Sequence, residues 1–154
     1  MIADPTVFAP VFASLFAAHQ VGDHWVQSSC QAVAKGGAGW TARAACAKHV
    51  ASLTVTKLVF LAPVVLLLGL HLHPLAAAVA LSVDAASHYW ADRRTTLARL
   101  AALVGKAEFY RLGSPRPGHN DNPSLGTGAY ALDQSWHVAW LTVAALIAAI
   151  GGGA

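Results

Sequence analysis

The run PLAAAVALSVDAASHYWAD, residues 74–92, decides how this chain is read. Its first half is Ala, Leu and Val almost without interruption, and its second half carries Asp84, Ser87, His88, Tyr89 and Asp92. At about 1.5 Å of rise per residue, a helix of this length comes close to spanning a hydrocarbon core of about 30 Å. Asp84 and His88 stand four apart, so on a helix they share one face. Ionisable residues in so apolar a setting are expensive, and they point to pairing, metal ligation or reaction.

Two further segments repeat that spacing. His19 and Asp23 lie in an apolar run read as a helix over 6–27, and Asp133 and His137 open one over 129–150. Between them, residues 49–71 hold the continuous apolar stretch Leu58 to Leu70, with Pro63 as a site for a kink. The connection at 28–48 is too polar and too rich in Gly to span. Residues 93–128 hold a short amphipathic helix, Thr95 to Val104, then a Pro, Gly and Asn rich loop. Trp90, Trp136 and Trp140 suit anchors at the lipid interface.

Composition agrees. Of 154 residues, 56% are hydrophobic and only 11% are Asp, Glu, Lys or Arg, against about 25% charged in an ordinary soluble domain. A soluble surface could not be covered from so small a polar stock without large apolar patches. The expected architecture is therefore all-α: one polytopic membrane domain, 1–154, with four transmembrane helices and a short interfacial helix between the third and fourth. Cys30 and Cys46 lack CxxC spacing and read as reduced thiols. Asp4 and Pro5 stand where a signal peptide would be basic, so no cleaved leader is expected.

The net charge of +3 reads as topology rather than as a nucleic-acid surface. Lys35, Arg43 and Lys48 fall in the first connection, and Arg93, Arg94, Arg99, Lys106, Arg111 and Arg116 in the loop after the third helix. The positive-inside rule turns both loops to the cytoplasm and leaves both termini outside, as expected of a multi-pass protein of the cell's inner (plasma) membrane. His19, Asp23, Asp84, His88, Asp133 and His137 then share one cytoplasm-facing layer, whereas His71 and His73 fall at the far surface.

Imidazole and carboxylate donors from three helices suit a divalent metal: Zn first, with Fe, Mn or Ni as alternatives, in a binuclear or mononuclear centre. Those six residues are the expected ligands. Gln27, His49, Asp92, Arg93 and Gln134 are expected around them, orienting ligands or meeting substrate. Asp23 is the expected proton acceptor, and Lys57 is read both as catalytic and as a buried counter-ion for Asp84. Leu125 to Tyr130 lacks the spacing of a nucleotide loop, so Thr127 is read as a helix cap.

The chain resembles an uncharacterised bacterial and phage family, domain of unknown function 3307. The likeness rests on AHQVGD (18–23), the Asp84 to Arg94 segment, KAEFYRLG (106–113) and AYALDQSWH (129–137). It implies a small helical membrane protein and draws attention to the same six residues, but it implies no reaction. Members are sometimes labelled transcriptional regulators; this chain has no helix-turn-helix with a basic recognition face. The leading expectation is a membrane-embedded metal-dependent hydrolase acting on a lipid or another phosphoester. Membrane lipid and an anionic small molecule or lipid substrate are the expected partners, with no nucleic acid and with room for a homo-oligomer. The rivals are an ion, proton or metal transport protein and a scaffold or accessory subunit.

Overall fold

A computed structural model describes residues 2–115 and 127–153. Arg116 and the start of the Gly-rich approach to the last helix, Leu125 and Gly126, lie outside the described residues.

Local chemistry sets each helix start. Asp4 accepts from the Thr6 backbone N–H at 2.8 Å and Pro5 occupies the first turn, opening α1 (Pro5–Val21). α1 passes into a π-helical turn, Gly22–Val26, closed by the Gln27 N–H on the Gly22 carbonyl at 2.9 Å. Ser28 and Gln31 form a reciprocal capping box that starts α2 (Ser29–Ala34). α3 (Gly39–Leu68) is continuous through Pro63 and ends at Gly69, whose φ of 66° is the left-handed cap that glycine accepts at little cost. Pro74 starts α4 (Pro74–Asp92), and Thr127 caps α7 (Gly128–Ala148) by accepting from the Tyr130 N–H at 3.3 Å. Between these two run α5 (Thr95–Leu103), the expected amphipathic helix, and a single turn, α6 (Ala107–Tyr110).

Among the described residues the fold is all-helical, with no sheet beyond two isolated bridges, Ala3 with Ile150 and His71 with Gly153. α1 packs on α3 and α7, and α4 packs on α7 and α3, which closes a ring of four long helices. The bridges bring both chain ends and the α3–α4 turn together at one end of the bundle. Lys35, Arg93 and Arg94 meet at the opposite end, where the Arg93 guanidinium donates to the Lys35 and Gly37 carbonyls and Arg94 donates to that of Ala32.

Several expectations change. The second long helix begins at Gly39 rather than His49, and the first connection contains α2. Trp90 and Trp136 stack at 4.7 Å between centroids, with Trp136 tilted on Trp140 at 5.8 Å, so these rings pack on one another as well as facing outward. Of the four expected spans, only α3 is long and apolar enough to cross a membrane on length and composition. α1 is 17 residues long, while α4 and α7 carry acid and imidazole groups within their length.

The core has two unlike halves. Toward the chain ends it is aliphatic: Val7, Val11 and Leu15 of α1 meet Leu61 of α3, Ala80 of α4 and Leu141, Ala144, Ala145 and Ala148 of α7. The alanines let α7 approach closely, as small residues do between membrane helices. Toward the other end the core is polar, with His19, His49, Lys57, Asp84, His88, Asp92 and His137 all buried. The outside is the reverse: Leu66 and Leu67 are 79% and 84% exposed while Lys57 is 0% exposed.

Gly128 marks the tightest approach between helices near the polar end, because a Cβ there would collide with the backbone carbonyl of Phe109. Gly128→Ala is expected to force α6 away from α7 and to cost about 1–3 kcal/mol, as overpacking does. A fall in the midpoint of thermal unfolding in detergent measures it; an unchanged midpoint would contradict the close approach.

Candidate metal centre

The centre of the polar half is built where three elements converge. The π-helical turn carries Asp23, α3 carries His49, and α4 supplies both His88 and Asp92 one turn apart. π-turns inside helices recur at functional sites because they re-aim side chains. Here Gly22 leaves room for Leu53 of α3, where a Cβ would overlap its side chain, so the turn sits directly against α3.

His49 Nε2 lies 3.1 Å from His88 Nε2, 3.0 Å from Asp23 Oδ1 and 3.3 Å from Asp92 Oδ2. His88 Nε2 lies 3.6 Å from Asp23 Oδ1 and 3.2 Å from Asp92 Oδ2. Donors on a tetrahedral ion with bonds of about 2.0–2.1 Å stand about 3.3–3.4 Å apart along each edge. The observed separations bracket that value.

Hydrogen bonding alone does not satisfy this knot. His49 Nε2 and His88 Nε2 hydrogen-bond each other, and among the described residues Asp23 Oδ1 and Asp92 Oδ2 have no hydrogen-bond partner. A neutral imidazole has one N–H to donate, so the His49 and His88 pair can serve only some of the acceptors around them. Of these residues, His49, His88 and Asp92 form one group that could hold a metal ion.

A second group lies alongside. His137 Nε2 is 3.5 Å from Asp133 Oδ2, and Asp92, Asp133 and His137 can bring ligand atoms together. His19 Nε2 is 3.7 Å from Asp23 Oδ2, and His19, Asp23 and His88 form another such group. The rings are close: His88 stacks on His137 at 3.9 Å between centroids, and His19 stands 5.0 Å from His137. Asp23 and Asp92 lie between the groups, each with one oxygen in the four-donor knot.

Of the expected ligands, His19, Asp23, His88, Asp133 and His137 are brought together, and Asp84 is not. Asp84 accepts from Lys57 Nζ at 2.5 Å in a fully buried pair. Lys57 therefore serves as the counter-ion rather than facing a cavity. His49 and Asp92, expected around the site, supply two of its central donors instead. Arg93 pins α2 in place through backbone carbonyls. Gln134 donates to Asp133 Oδ2 at 3.5 Å, and Gln27 reaches the same cavity.

That cavity, of about 630 Å³, opens beside the knot. Asp23, Asp92 and Asp133 line it together with Lys35, Arg94, His24, Tyr110 and Tyr130. Lys35 Nζ holds Asp92 Oδ1 at 2.7 Å, and His24 bonds Tyr130 Oη at 3.1 Å. Burial raises the Tyr110 phenol above its ordinary pKa, with Asp133 pushing the same way, so it remains a neutral hydrogen-bonding group at the cavity wall. Sequence reasoning assigned Lys35 to topology and overlooked His24, Tyr110 and Tyr130. No spacing in the chain links Lys35 to Asp92; the contact exists only because the arginines fold α2 over the site.

Comparison with protein-family models, curated proteins and solved structures gives no match for this chain.

Removing one member of a buried ion pair strands the other, at about 3–5 kcal/mol, whereas replacing both with apolar groups is often neutral. Lys57→Met and Asp84→Leu are each expected to lower the unfolding midpoint sharply, and the double substitution to recover most of the loss. A double variant no more stable than the worse single one would show that Lys57 and Asp84 act separately.

Proposed function

We propose that this protein is a membrane-embedded, metal-dependent hydrolase of phosphoesters, with its centre in the cytoplasmic half of a four-helix bundle. The observation that carries the reading is the group His49, His88 and Asp92, whose donor separations of 3.1–3.3 Å are close to the edges of a four-coordinate site, with Asp23 Oδ1 3.0 Å from His49 beside it. Zn is the first choice for that donor set, with Fe, Mn or Ni also compatible.

The membrane part of the reading is supported by inverted polarity. Exposed Leu58, Val59, Leu66, Leu67, Leu75 and Leu146 face outward from the long helices, whereas lysine, aspartate and histidine are inside. In lipid an outward leucine costs nothing and an inward charge must be paired. On this reading α1 with its π-turn, α3, α4 and α7 all cross, with both termini outside and the arginine-rich end in the cytoplasm of a cell whose inner membrane holds the protein. The short hydrophobic length of α1 would be met by local bilayer thinning or by the flanking turn.

His49, His88 and Asp92 would hold a divalent ion and leave a fourth position open, where the ion would lower the pKa of bound water and draw electron density from a phosphoryl oxygen. The chain's own groups supply the rest. Asp23, with one oxygen in the knot and the residue on the cavity wall, takes the proton of the attacking water. Lys35 and Arg94 meet the negative oxygens of the phosphate, and Tyr130 and His24 offer further hydrogen bonds. Attack forms one P–O bond and breaks the other, and the leaving alkoxide recovers a proton from the cavity groups. A transport role is disfavoured because Val7, Val11, Leu15, Leu61 and Leu141 fill the far half of the bundle and interrupt a polar route.

Elemental analysis of detergent-purified protein is expected to find at least one Zn, Fe, Mn or Ni per chain. His49→Ala with His88→Ala is expected to abolish binding, while Lys57→Met with Asp84→Leu leaves it. Substoichiometric metal that ignores the histidine pair would falsify the centre. Asp23→Asn is expected to lower kcat on a phosphoester by about 10²–10⁴, the worth of a positioned base; undiminished turnover would remove Asp23 from the reaction.

A further inference from the structure

Beside the metal cavity lies a second, unlike one. It is a groove of about 250 Å³ between α5 and α7, lined by Leu97, Leu100, Ala101, Val104, Leu132 and Ala139. Leu97 lines both spaces, so the carboxylate and lysine wall of one and the apolar wall of the other meet at a single side chain.

Two polar groups in the groove are placed unusually. Trp136 lines it, and its indole Nε1 is buried with no hydrogen-bond partner among the described residues. Buried indole N–H groups are normally paired, so an unpaired one on a groove-lining ring suits an acceptor that enters beside it. Lys106 stands on the same wall and adds a cation beside an otherwise aliphatic surface. A free phosphate or a small sugar phosphate would use neither the aliphatic wall nor the length of the groove. A neutral acyl lipid would use the groove but leave Lys35 and Arg94 unmatched.

We propose that the groove holds one acyl chain of a phosphate-bearing membrane lipid whose headgroup occupies the metal cavity. The substrate of the site is then a phospholipid phosphoester, and this inference rests on the phosphoester reading of the metal centre. The chain lies against Leu100, Val104 and Leu132, an ester carbonyl accepts from Trp136 Nε1–H, and the phosphate passes Leu97 to reach Lys35 and the knot. α5, with Leu97 and Ala101 turned inward and Leu103 outward, places this entry at the level where lipid headgroups meet tails.

The test is photolabelling in dodecyl maltoside micelles, which carry no phosphate, with a phosphatidic acid that carries a diazirine on one acyl chain. Label is expected to concentrate in residues 97–104 and 132–139. Unlabelled phosphatidic acid should compete, while diacylglycerol of the same chains and soluble glycerol phosphate should not. Ala139→Trp, at an exposed wall position, and Leu100→Asn should each reduce labelling about tenfold, the worth of roughly two buried methylenes, with unchanged unfolding midpoints.

Label spread evenly along the outward leucines of α3 would overturn the proposal, as would equal competition by diacylglycerol or labelling indifferent to both substitutions. Competition by glycerol phosphate as strong as by the lipid would also overturn it, since the headgroup alone would then carry binding. The labelling needs no turnover, so the two readings fail separately. Groove labelling in a protein without metal or hydrolysis keeps the lipid site and sinks the hydrolase. Metal-dependent hydrolysis of a soluble phosphoester without groove labelling does the opposite.

Discussion

Four polar side chains meeting inside an apolar bundle are the constraint on which this structure turns. Asp23, His49, His88 and Asp92 come from three separate segments of chain, and each would be costly to bury alone. Separations of 3.0–3.6 Å between the two imidazoles and from them to both carboxylates require the π-turn to lie hard against α3, which Gly22 permits. They also require α4 to present His88 and Asp92 on one face. The arginine contacts that hold α2 over the site complete the same requirement, because they deliver Lys35 to the remaining oxygen of Asp92.

Around that knot the bundle grades from polar to aliphatic along its length. The Lys57–Asp84 pair belongs to the buried polar half, and Val7, Val11, Leu15 and Leu141 fill the half toward the chain ends. Such a gradient makes the site one-sided: its cavity opens near the arginine-rich end, and aliphatic side chains fill the half toward the chain ends.

Polarity inside and leucine outside also explain why length and hydropathy single out α3 alone. α4 and α7 spend part of their length on Asp84, His88, Asp92, Asp133 and His137, which face one another and not the surroundings. A linear average over such a helix counts inward carboxylates against it. α1 loses its apparent length differently, since the π-turn interrupts the regular helix after Val21.

Local pattern in the chain determined the helical class, the starts at Pro5, Pro74 and Thr127, the amphipathic α5, and the i,i+4 faces that put His19 with Asp23 and Asp133 with His137. These are effects of near neighbours, and helical spacing reports them directly. Tertiary structure alone decided which groups share a centre. It selected the counter-ion role for Lys57, which the sequence had offered beside a catalytic one, and moved His49 and Asp92 into the knot. It also brought Lys35 to Asp92 and set Leu97 between two cavities. The reason is physical: spacing along one helix states which residues share a face, but the depth and rotation at which two helices pack determine which faces touch. Here Gly22, Gly128 and the arginine anchors on α2 contribute to both.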